Sequence, residues 1–482
     1  MARSDSMMNL SLRALLPLTA ALTLAGCINL APADERPALP IPAQLPSATG
    51  TAAAAGADAV RQPAWRDLVR DERLRQVVDR ALLANRDLKV AVLNVERSRA
   101  QWQISDADRW PTLNAAVSAN RAPNTSGKQA NTLQAGLQVS SFELDLFGRV
   151  RNSGEAAQAS FLATEAAARS ARLALVTQTI ASWLTLAADE EQLRLARETL
   201  DSREQTYKLT ALRAQVGAAS DLELRAAQTL TAQAQATLAQ LQRQRTQDRN
   251  ALTVLVGDAL PSELFPSPAD GAQAGWLAEV PAGARSDVLL LRPDVIQAEQ
   301  TLRAANASIG AARAAIFPRI ALSGSVGQVS DSLNGLVNAG TTAWTLGASA
   351  AMALFDAGRN SANVKVAEVS REIALAQYEK TLQTAFQEAA NGLEGQSEWR
   401  KQVSAQNALL QAESERARLT RLKLQAGAVS LSDVLEVERS LASAQQAAVQ
   451  TRLGELLNRL SLYKALGGEQ PADQTVAAAP AQ

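Results

Sequence analysis

The 482-residue sequence contains no histidine and a single cysteine, Cys27. Without these residue types the usual zinc sites, disulfides and Ser-His-Asp or Cys-His catalytic arrangements cannot be built. No nucleophile–base pair is visible elsewhere, so an enzyme is not expected. The 48 basic and 48 acidic side chains balance, whereas a nucleic-acid partner would require a basic excess. We therefore expect neither a metal nor a nucleic-acid site.

Aromatic residues are also scarce, at 4% of the chain, whereas alanine, leucine, glutamine, arginine and glutamate fill long stretches. This composition is typical of long helices packed through small side chains rather than around a thick globular core. A mainly α-helical protein is expected.

The N-terminal segment has the features of a bacterial lipoprotein signal. Arg3 and Arg13 supply positive charge, and residues 14–25 form an apolar stretch too short to span a bilayer. The following Leu-Ala-Gly-Cys sequence resembles a lipobox, in which the cysteine accepts diacylglycerol and becomes the mature N-terminus. A covalent lipid on Cys27 is therefore predicted, the alternative being a chance buried cysteine. Ile28 stands where lipoproteins of the inner membrane carry aspartate, which favours the outer membrane.

The remainder of the chain contains a duplication with an offset of about 207 to 210 residues. The matched positions include Asp87 with Asp294, Pro111 with Pro318, Arg149 with Arg359, and Gly217 with Gly427. This period is too long for a solenoid repeat, so two halves of the same architecture are predicted.

Each half is predicted to contain an entering helix, a β-hairpin, a long helix, a glycine turn and a returning helix. The predicted ranges, all approximate, are about 87–109 and 293–317 for the entering helices, about 112–146 and 319–355 for the hairpins, and about 149–215 and 359–425 for the long helices. In the first long helix Val176, Ile180 and Trp183 recur at intervals of three and four residues, which predicts a buried stripe.

The hairpin strands are about ten residues long and alternate apolar with small or polar residues, as transmembrane β-strands do. Residues 122–131 and 329–342 are polar or rich in glycine and asparagine and are predicted to be loops. Four strands are too few to close a barrel, and open strand edges are not tolerated in lipid. Several copies of the chain would therefore have to share one barrel.

These features divide the chain into six predicted regions. They are a signal peptide (1–26), a lipidated linker (27–67), a first repeat (68–257), an inter-repeat segment (258–290), a second repeat (291–466) and a C-terminal tail (467–482).

The sequence LRPDVIQAE at 291–299, continued by AANASIGAARAAIFP at 304–318, resembles the TolC family of outer membrane efflux proteins, specifically its lipidated members that serve resistance-nodulation-division pumps. The resemblance implies a homotrimer with a twelve-stranded β-barrel in the outer membrane, continued by a twelve-helix α-barrel in the periplasm. It also implies passive conduction of substrates delivered by an inner-membrane transporter and a periplasmic adaptor protein.

Three sets of residues are singled out by this resemblance. Arg292, Pro293 and Asp294 form an architectural motif, since proline suits the first turn of a helix and aspartate its positive end. The glycine turns Val216-Gly217-Ala218 and Ala426-Gly427-Ala428 resemble the periplasmic tips that dock the adaptor, the alternative being simple helix caps.

The third set is a candidate periplasmic gate. Asp433, Glu436 and Arg439 are spaced by three and share a helical face, and Glu223 matches an acidic position that links neighbouring helices in the family. A solvated helix face is the alternative interpretation. Leu424 replaces an aromatic residue that family members often carry near the second tip.

The expected function is an outer-membrane exit duct, anchored by lipid and extending into the periplasm. Two alternatives remain at this point. One is a lipid-anchored periplasmic coiled-coil protein with a structural role, and the other is the outer-membrane duct of a type I protein secretion system.

Overall fold

The computed structural model describes residues 29–33, 37–46, 63–123, 126–127, 129–267, 275–280, 285–338 and 341–469. Helices dominate these ranges, as the composition predicts. Cys27 and its predicted lipid lie outside the described residues. None of the helices in the described ranges combines the length and the apolar character needed to cross a membrane.

The first half of the chain contains five helices and two strands among its described residues. In chain order they are α1 (Trp65–Leu68), α2 (Glu72–Ala84), α3 (Arg86–Ala107), β1 (Asn114–Pro123), β2 (Gln129–Leu144), α4 (Arg149–Gln215) and α5 (Asp221–Val256). The long helix α4 has the predicted bounds. At 1.5 Å per residue, its 67 residues span about 100 Å.

The second half repeats the order of helix, hairpin, long helix and returning helix. Its elements are α6 (Pro293–Ala314), β3 (Arg319–Ser330), α7 (Leu333–Asn338), β4 (Thr341–Ala351), α8 (Arg359–Gln425) and α9 (Leu431–Ala465). The segment between the halves contributes two short 3₁₀ turns, Ser262–Leu264 and Ser286–Leu291. The long helix α8 again has the predicted bounds.

The predicted loop boundaries differ from the structure in both hairpins. The range 122–131 was too wide, because β1 continues to Pro123 and β2 begins at Gln129. The range 329–342 contains the unpredicted helix α7, whose first turn is capped by the Ser332 hydroxyl accepting from the Gly335 N–H at 3.3 Å. A single serine thus satisfies a free backbone donor in a segment whose composition is typical of a loop.

The entering helices end two or three residues before their predicted ends. At the end of α3, Arg109 and Trp110 donate backbone hydrogen bonds to residues three positions earlier, so the last turn tightens before Pro111. A residue preceding proline is disfavoured in the α conformation.

The four strands form one antiparallel sheet in the order β1-β2-β3-β4. Strands β2 and β3 join the two halves, with Leu137 opposite Val326, and the register shifts between Val139 and Phe142. Strands β1 and β4 are the edge strands of this sheet. On β4 the side chain of Trp344 is 74% exposed in the single chain, so an apolar surface lies at a sheet edge.

The chain forms two compact units that do not coincide with its two halves. The first takes in the described residues of 1–38, 94–165 and 297–378 and contains the sheet, and the second takes in those of 39–93, 166–296 and 379–482. Each unit therefore combines segments from both halves. The predicted repeat boundaries divide the sequence into similar halves, and the two compact units neither support nor contradict them.

The second unit is organised around the predicted apolar stripe of α4. Val176, Ile180 and Trp183 are buried, as the spacing predicts. The Trp183 indole N–H donates to the Leu264 carbonyl oxygen at 3.0 Å and its ring meets Trp276 edge-on at 5.4 Å between ring centroids. This packing fixes the middle of α4 against the segment between the two halves.

Candidate functional site

The two glycine turns of the second unit have the same backbone geometry. Gly217 and Gly427 each have φ = 72°, in the left-handed region that favours glycine. At each turn the residue after the glycine donates to a carbonyl five residues earlier, and both hydrogen bonds are 2.8 Å long. These bonds have the pattern of the Schellman motif, which ends α4 and α8.

The returning helices begin with matching capping boxes. Glu223 accepts from the backbone N–H of Ser220 at 2.8 Å, and Asp433 accepts from that of Ser430 at 2.9 Å. These serine hydroxyls accept in turn from the backbone N–H of Glu223 and Asp433. Hydrogen bonds from Ser220 lower the pKa of Glu223, and those from Ser430 lower the pKa of Asp433, so both carboxylates stay charged.

Of the four predicted gate residues, the structure brings two together. Glu436 and Arg439 form an ion pair at 2.8 Å one turn apart on α9, and both side chains are 59% exposed in the single chain. Asp433 shares their helical spacing, but its carboxylate is engaged with Ser430, and that of Glu223 with Ser220. Glu223 and Asp433 thus have the same role, since each is the acidic residue of a capping box.

A partly buried ion network that the sequence did not reveal lies next to this pair along α9. Glu438 on α9 contacts Arg203 of α4 and Arg421 of α8, each at 3.2 Å. Arg203 is buried, which lowers its pKa, although the charge of Glu438 opposes this shift. Three helices are therefore tied together one residue away from the exposed Glu436–Arg439 pair.

The predicted architectural motif is a compact hydrogen-bonded group at the start of α6. Arg292 is 5% exposed at its side chain and forms ion pairs with Asp294 at 2.7 Å and with Glu388 of α8 at 2.8 Å. It also donates to the Ala465 carbonyl oxygen at 2.8 Å, near the end of α9. Burial acts to lower the pKa of Arg292, but the two carboxylates outweigh it and raise that pKa.

A buried acidic group on α4 was also missed by the sequence. Asp189 packs against Asp248 of α5, and burial together with this second carboxyl raises the pKa of Asp189 to about 7. Its neighbour Glu190 pairs with Arg245 at 2.5 Å. A signal was present, because Glu190 follows Trp183 by seven residues and so lies on the helical face of the apolar stripe. Among the described residues, no cluster of acidic or cysteine side chains has the arrangement of a metal site.

Asp189→Asn is expected to make the protein more stable at pH 8 and to leave it almost unchanged near pH 4. A carboxyl with a raised folded-state pKa contributes stability at low pH, and that contribution is lost as the pH rises from about 4 to about 7. The asparagine side chain stays neutral at every pH, so the variant does not lose this stability. Its free energy of unfolding at pH 8 should exceed that of the wild type by roughly 1–3 kcal/mol. Thermal unfolding followed by circular dichroism at both pH values measures the effect. Asp201→Asn, an exposed change on the same helix, should show no such pH dependence.

Comparisons with known proteins agree with this geometry over nearly the whole chain. The family model described as "Outer membrane efflux protein" matches residues 77–258 and 284–468. The probable efflux pump outer membrane protein TtgC of Pseudomonas putida is 40% identical over 457 residues, which cover 93% of this chain and 94% of that protein. The cation efflux system protein CusC of Escherichia coli strain K12 is 37% identical over 458 residues, covering 94% and 99%.

A solved structure gives the same result for the fold. The open state of the MtrE outer membrane channel of Neisseria gonorrhoeae superimposes with a TM-score of 0.82 at 36% identity, covering 92% of this chain and 98% of that one. The similarity therefore includes the hairpins, the long helices and both glycine turns.

Proposed function

The chain belongs to the outer membrane efflux protein family, and we propose that it is the exit duct of a tripartite efflux pump in the outer membrane. The observation that carries this conclusion is the near full-length match to proteins named as outer membrane components of efflux pumps. The family is one of ducts rather than enzymes. The sequence-based resemblance to it is confirmed by these matches.

The proposed assembly is a homotrimer in which three four-stranded sheets close one twelve-stranded β-barrel, continued by an α-barrel of the long and returning helices. The four-stranded sheet supports this assembly, because it has too few strands to close into a barrel alone. Its edge strands are β1 and β4, and the apolar Trp344 side chain on β4 is exposed. Joining the edge strands of neighbouring copies would remove these open edges.

The proposed partners are a periplasmic adaptor and an inner-membrane transporter of the resistance-nodulation-division class. The relatives' names favour efflux over the type I secretion alternative. Some relatives are named for cation efflux and others for toluene efflux, so the names do not define a common cargo. We infer that this chain takes its cargo from its transporter.

The duct is tested by reconstituting the purified full-length protein in planar bilayers and determining its mass in detergent. A trimeric mass with stepwise ion conductance is expected, because the barrel encloses a continuous aqueous path. The structural-lipoprotein alternative predicts no conductance. A monomer without channel activity would contradict the proposed duct.

The tips are proposed to dock the adaptor through close approach of its backbone. At Gly217 and Gly427 no atom other than those of the glycine and its chain neighbours lies within 4 Å of the position that a Cβ would occupy, so each turn is open to a partner. Gly427→Asn keeps the left-handed turn, which asparagine tolerates, but adds a side chain. We expect this variant to retain its thermal midpoint and to lose crosslinking to the adaptor.

Gly427→Val serves as the comparison, because a β-branched residue also strains the turn, by about 1–3 kcal/mol. It should lose both crosslinking and some stability. Undiminished crosslinking in the asparagine variant would leave the glycine with a capping role alone.

Cys27 is proposed to carry the lipid. Cys27→Ser should abolish incorporation of labelled palmitate, since the thiol is the group that accepts the diacylglyceryl lipid. Export by the pump should fall less than labelling does, because one lipid anchor adds little to a closed barrel that its own apolar band already holds in the membrane. Labelled palmitate on the serine variant would refute the assignment.

A further inference from the structure

An aromatic contact joins the two halves of the chain in the first unit. Phe147, which follows β2, stacks on Phe317, which precedes β3, with 4.6 Å between the ring centroids and 17° between the ring planes. Next to this stack, Leu144 lies opposite Ile320 in the register of β2 with β3. The end of one hairpin and the start of the next thus meet through a ring stack and an apolar cross-strand pair.

The duplication gives each ring of this stack an aromatic counterpart elsewhere in the chain. The Leu-Phe sequence that ends in Phe147 recurs 208 residues later as the one that ends in Phe355. Trp110 directly precedes the matched proline of the first half, as Phe317 precedes that of the second, at an offset of 207 residues. Phe355 and Trp110 are therefore the residues that a second contact of the same kind would join.

The cross-strand pair has counterparts at the same offsets. Met352 lies 208 residues after Leu144, and Leu113 lies 207 residues before Ile320. Met352 directly follows β4 and Leu113 directly precedes β1, and these two are the edge strands of the sheet. Within one chain β1 and β4 are separated by two strands, so they lie about 14 Å apart. A second contact of this kind therefore cannot form within one chain.

All four counterparts expose apolar surface in the single chain. Trp110 is 72% exposed, Leu113 65%, Met352 49% and Phe355 90%. Phe147, by contrast, is half-buried. Exposed apolar groups at the two free edges of a sheet indicate a surface that another molecule covers.

We propose that these two edge surfaces cover each other in neighbouring copies of the chain. Phe355 of one copy stacks on Trp110 of the next copy, and Met352 lies opposite Leu113 of that same copy. The contact runs from the end of one sheet to the start of the next, so it repeats head to tail and closes after three copies. The proposal rests on the trimeric duct proposed above and assigns the strand register and the aromatic contact at its subunit boundary.

The geometry within the chain favours a second copy over lipid as the occupant of these surfaces. The residues after β2 and before β3 already form this contact once, and the duplicated residues have the same spacing. In all four places the aromatic residue lies three positions from the residue of the cross-strand pair. The trimer would then contain six junctions of one kind in a single closed sheet, three within chains and three between them.

The register is tested by oxidising the full-length double variant Leu113→Cys with Met352→Cys in membranes. Directly opposite residues of paired strands have Cα atoms about 4.5–5.5 Å apart, which suits a disulfide. A denaturing gel without reductant should show covalent dimers and trimers. Each single variant should give neither, which controls for Cys27, the sole native cysteine. Leu113→Cys with Val326→Cys, which places the second thiol on the inner strand β3, should also give neither.

The mass of the double variant in detergent separates failure of this contact from failure of the duct. A trimer that forms no disulfide would overturn the register assigned here and leave the proposed duct standing. A monomer would overturn both.

The ring stack is tested by the temperature at which the detergent-purified trimer dissociates. Trp110→Ala and Phe355→Ala should each lower this temperature by a few degrees, whereas Phe355→Tyr, which keeps the ring, should not. The variant with both alanines should lose no more than the larger single loss, because one contact cannot be lost twice. Phe317→Ala with Phe355→Ala is the matched control, since these rings belong to different stacks and their losses should add. Additive losses for Trp110 and Phe355 would assign both rings to lipid and overturn the stack.

Discussion

Replacing Arg292 by alanine is expected to lower the free energy of unfolding by about 3 kcal/mol and to reduce the amount of folded protein in the outer membrane. Arg292 is almost fully buried and is shared by Asp294, Glu388 and the Ala465 carbonyl. Its loss leaves three acceptors without their common donor and breaks the connection between the start of α6, α8 and the end of α9. The two carboxylates are partly exposed, which places the effect near the lower end of the range for broken buried pairs.

The thermal midpoint of the detergent-purified protein, followed by helical circular dichroism, measures this effect. Arg292→Lys is a second variant, because lysine keeps the charge but lacks the planar fork that contacts several acceptors at once. It should recover part of the loss. Arg400→Ala, which removes the exposed pair with Glu279, should change stability by at most about 1 kcal/mol. If Arg292→Ala behaved like that control, the motif would have no architectural role.

Replacing Glu436 and Arg439 together by alanine is expected to open the periplasmic entrance of the proposed trimer. The ion pair seen in the single chain lies within α9, so a gate would require these charges to contact neighbouring helices in the closed trimer, where each exposed contact contributes at most about 1 kcal/mol. Three copies around one axis would together shift the open-to-closed ratio by roughly tenfold or more. Single-channel conductance in planar bilayers should rise, and cells should become sensitive to large antibiotics such as vancomycin.

The matched control is Glu415→Ala with Arg418→Ala on α8. That pair has the same spacing of three residues, a distance of 2.7 Å and similar exposure, so the double variant removes equal charge from another helix face. It should leave conductance and the antibiotic barrier as in the wild type. If the Glu436 and Arg439 variant gave the same result, both residues would belong to an ordinary solvated face.

Periodicity predicted the approximate bounds of the long helices α4 and α8, because each is a continuous helical pattern without proline that ends at a glycine turn. It failed for α7, where the Ser332 cap outweighs a glycine- and asparagine-rich composition. The fold could thus be predicted wherever a local signal repeats in both halves.

The candidate site was predictable to a lesser degree. The glycines and capping residues are visible because their geometry depends on neighbours in sequence. The contact of Glu438 with Arg203 joins residues on different helices, and the pairing of Asp189 with Asp248 does the same. No spacing rule reports such contacts, since they depend on how helices distant in sequence pack against each other.

The likeness of the two tips has a consequence for stoichiometry. In the proposed trimer, Gly217 and Gly427 would present six quasi-equivalent turns, alike in backbone but alternating in side chains, with Glu223 at three and Asp433 at the other three. A partner that grips the backbone could occupy all six positions. A partner that contacts the side chains would distinguish the turns with Glu223 from those with Asp433, and it could fill only three of the six positions. A ring of three partner molecules and a ring of six would therefore both be compatible with one threefold duct.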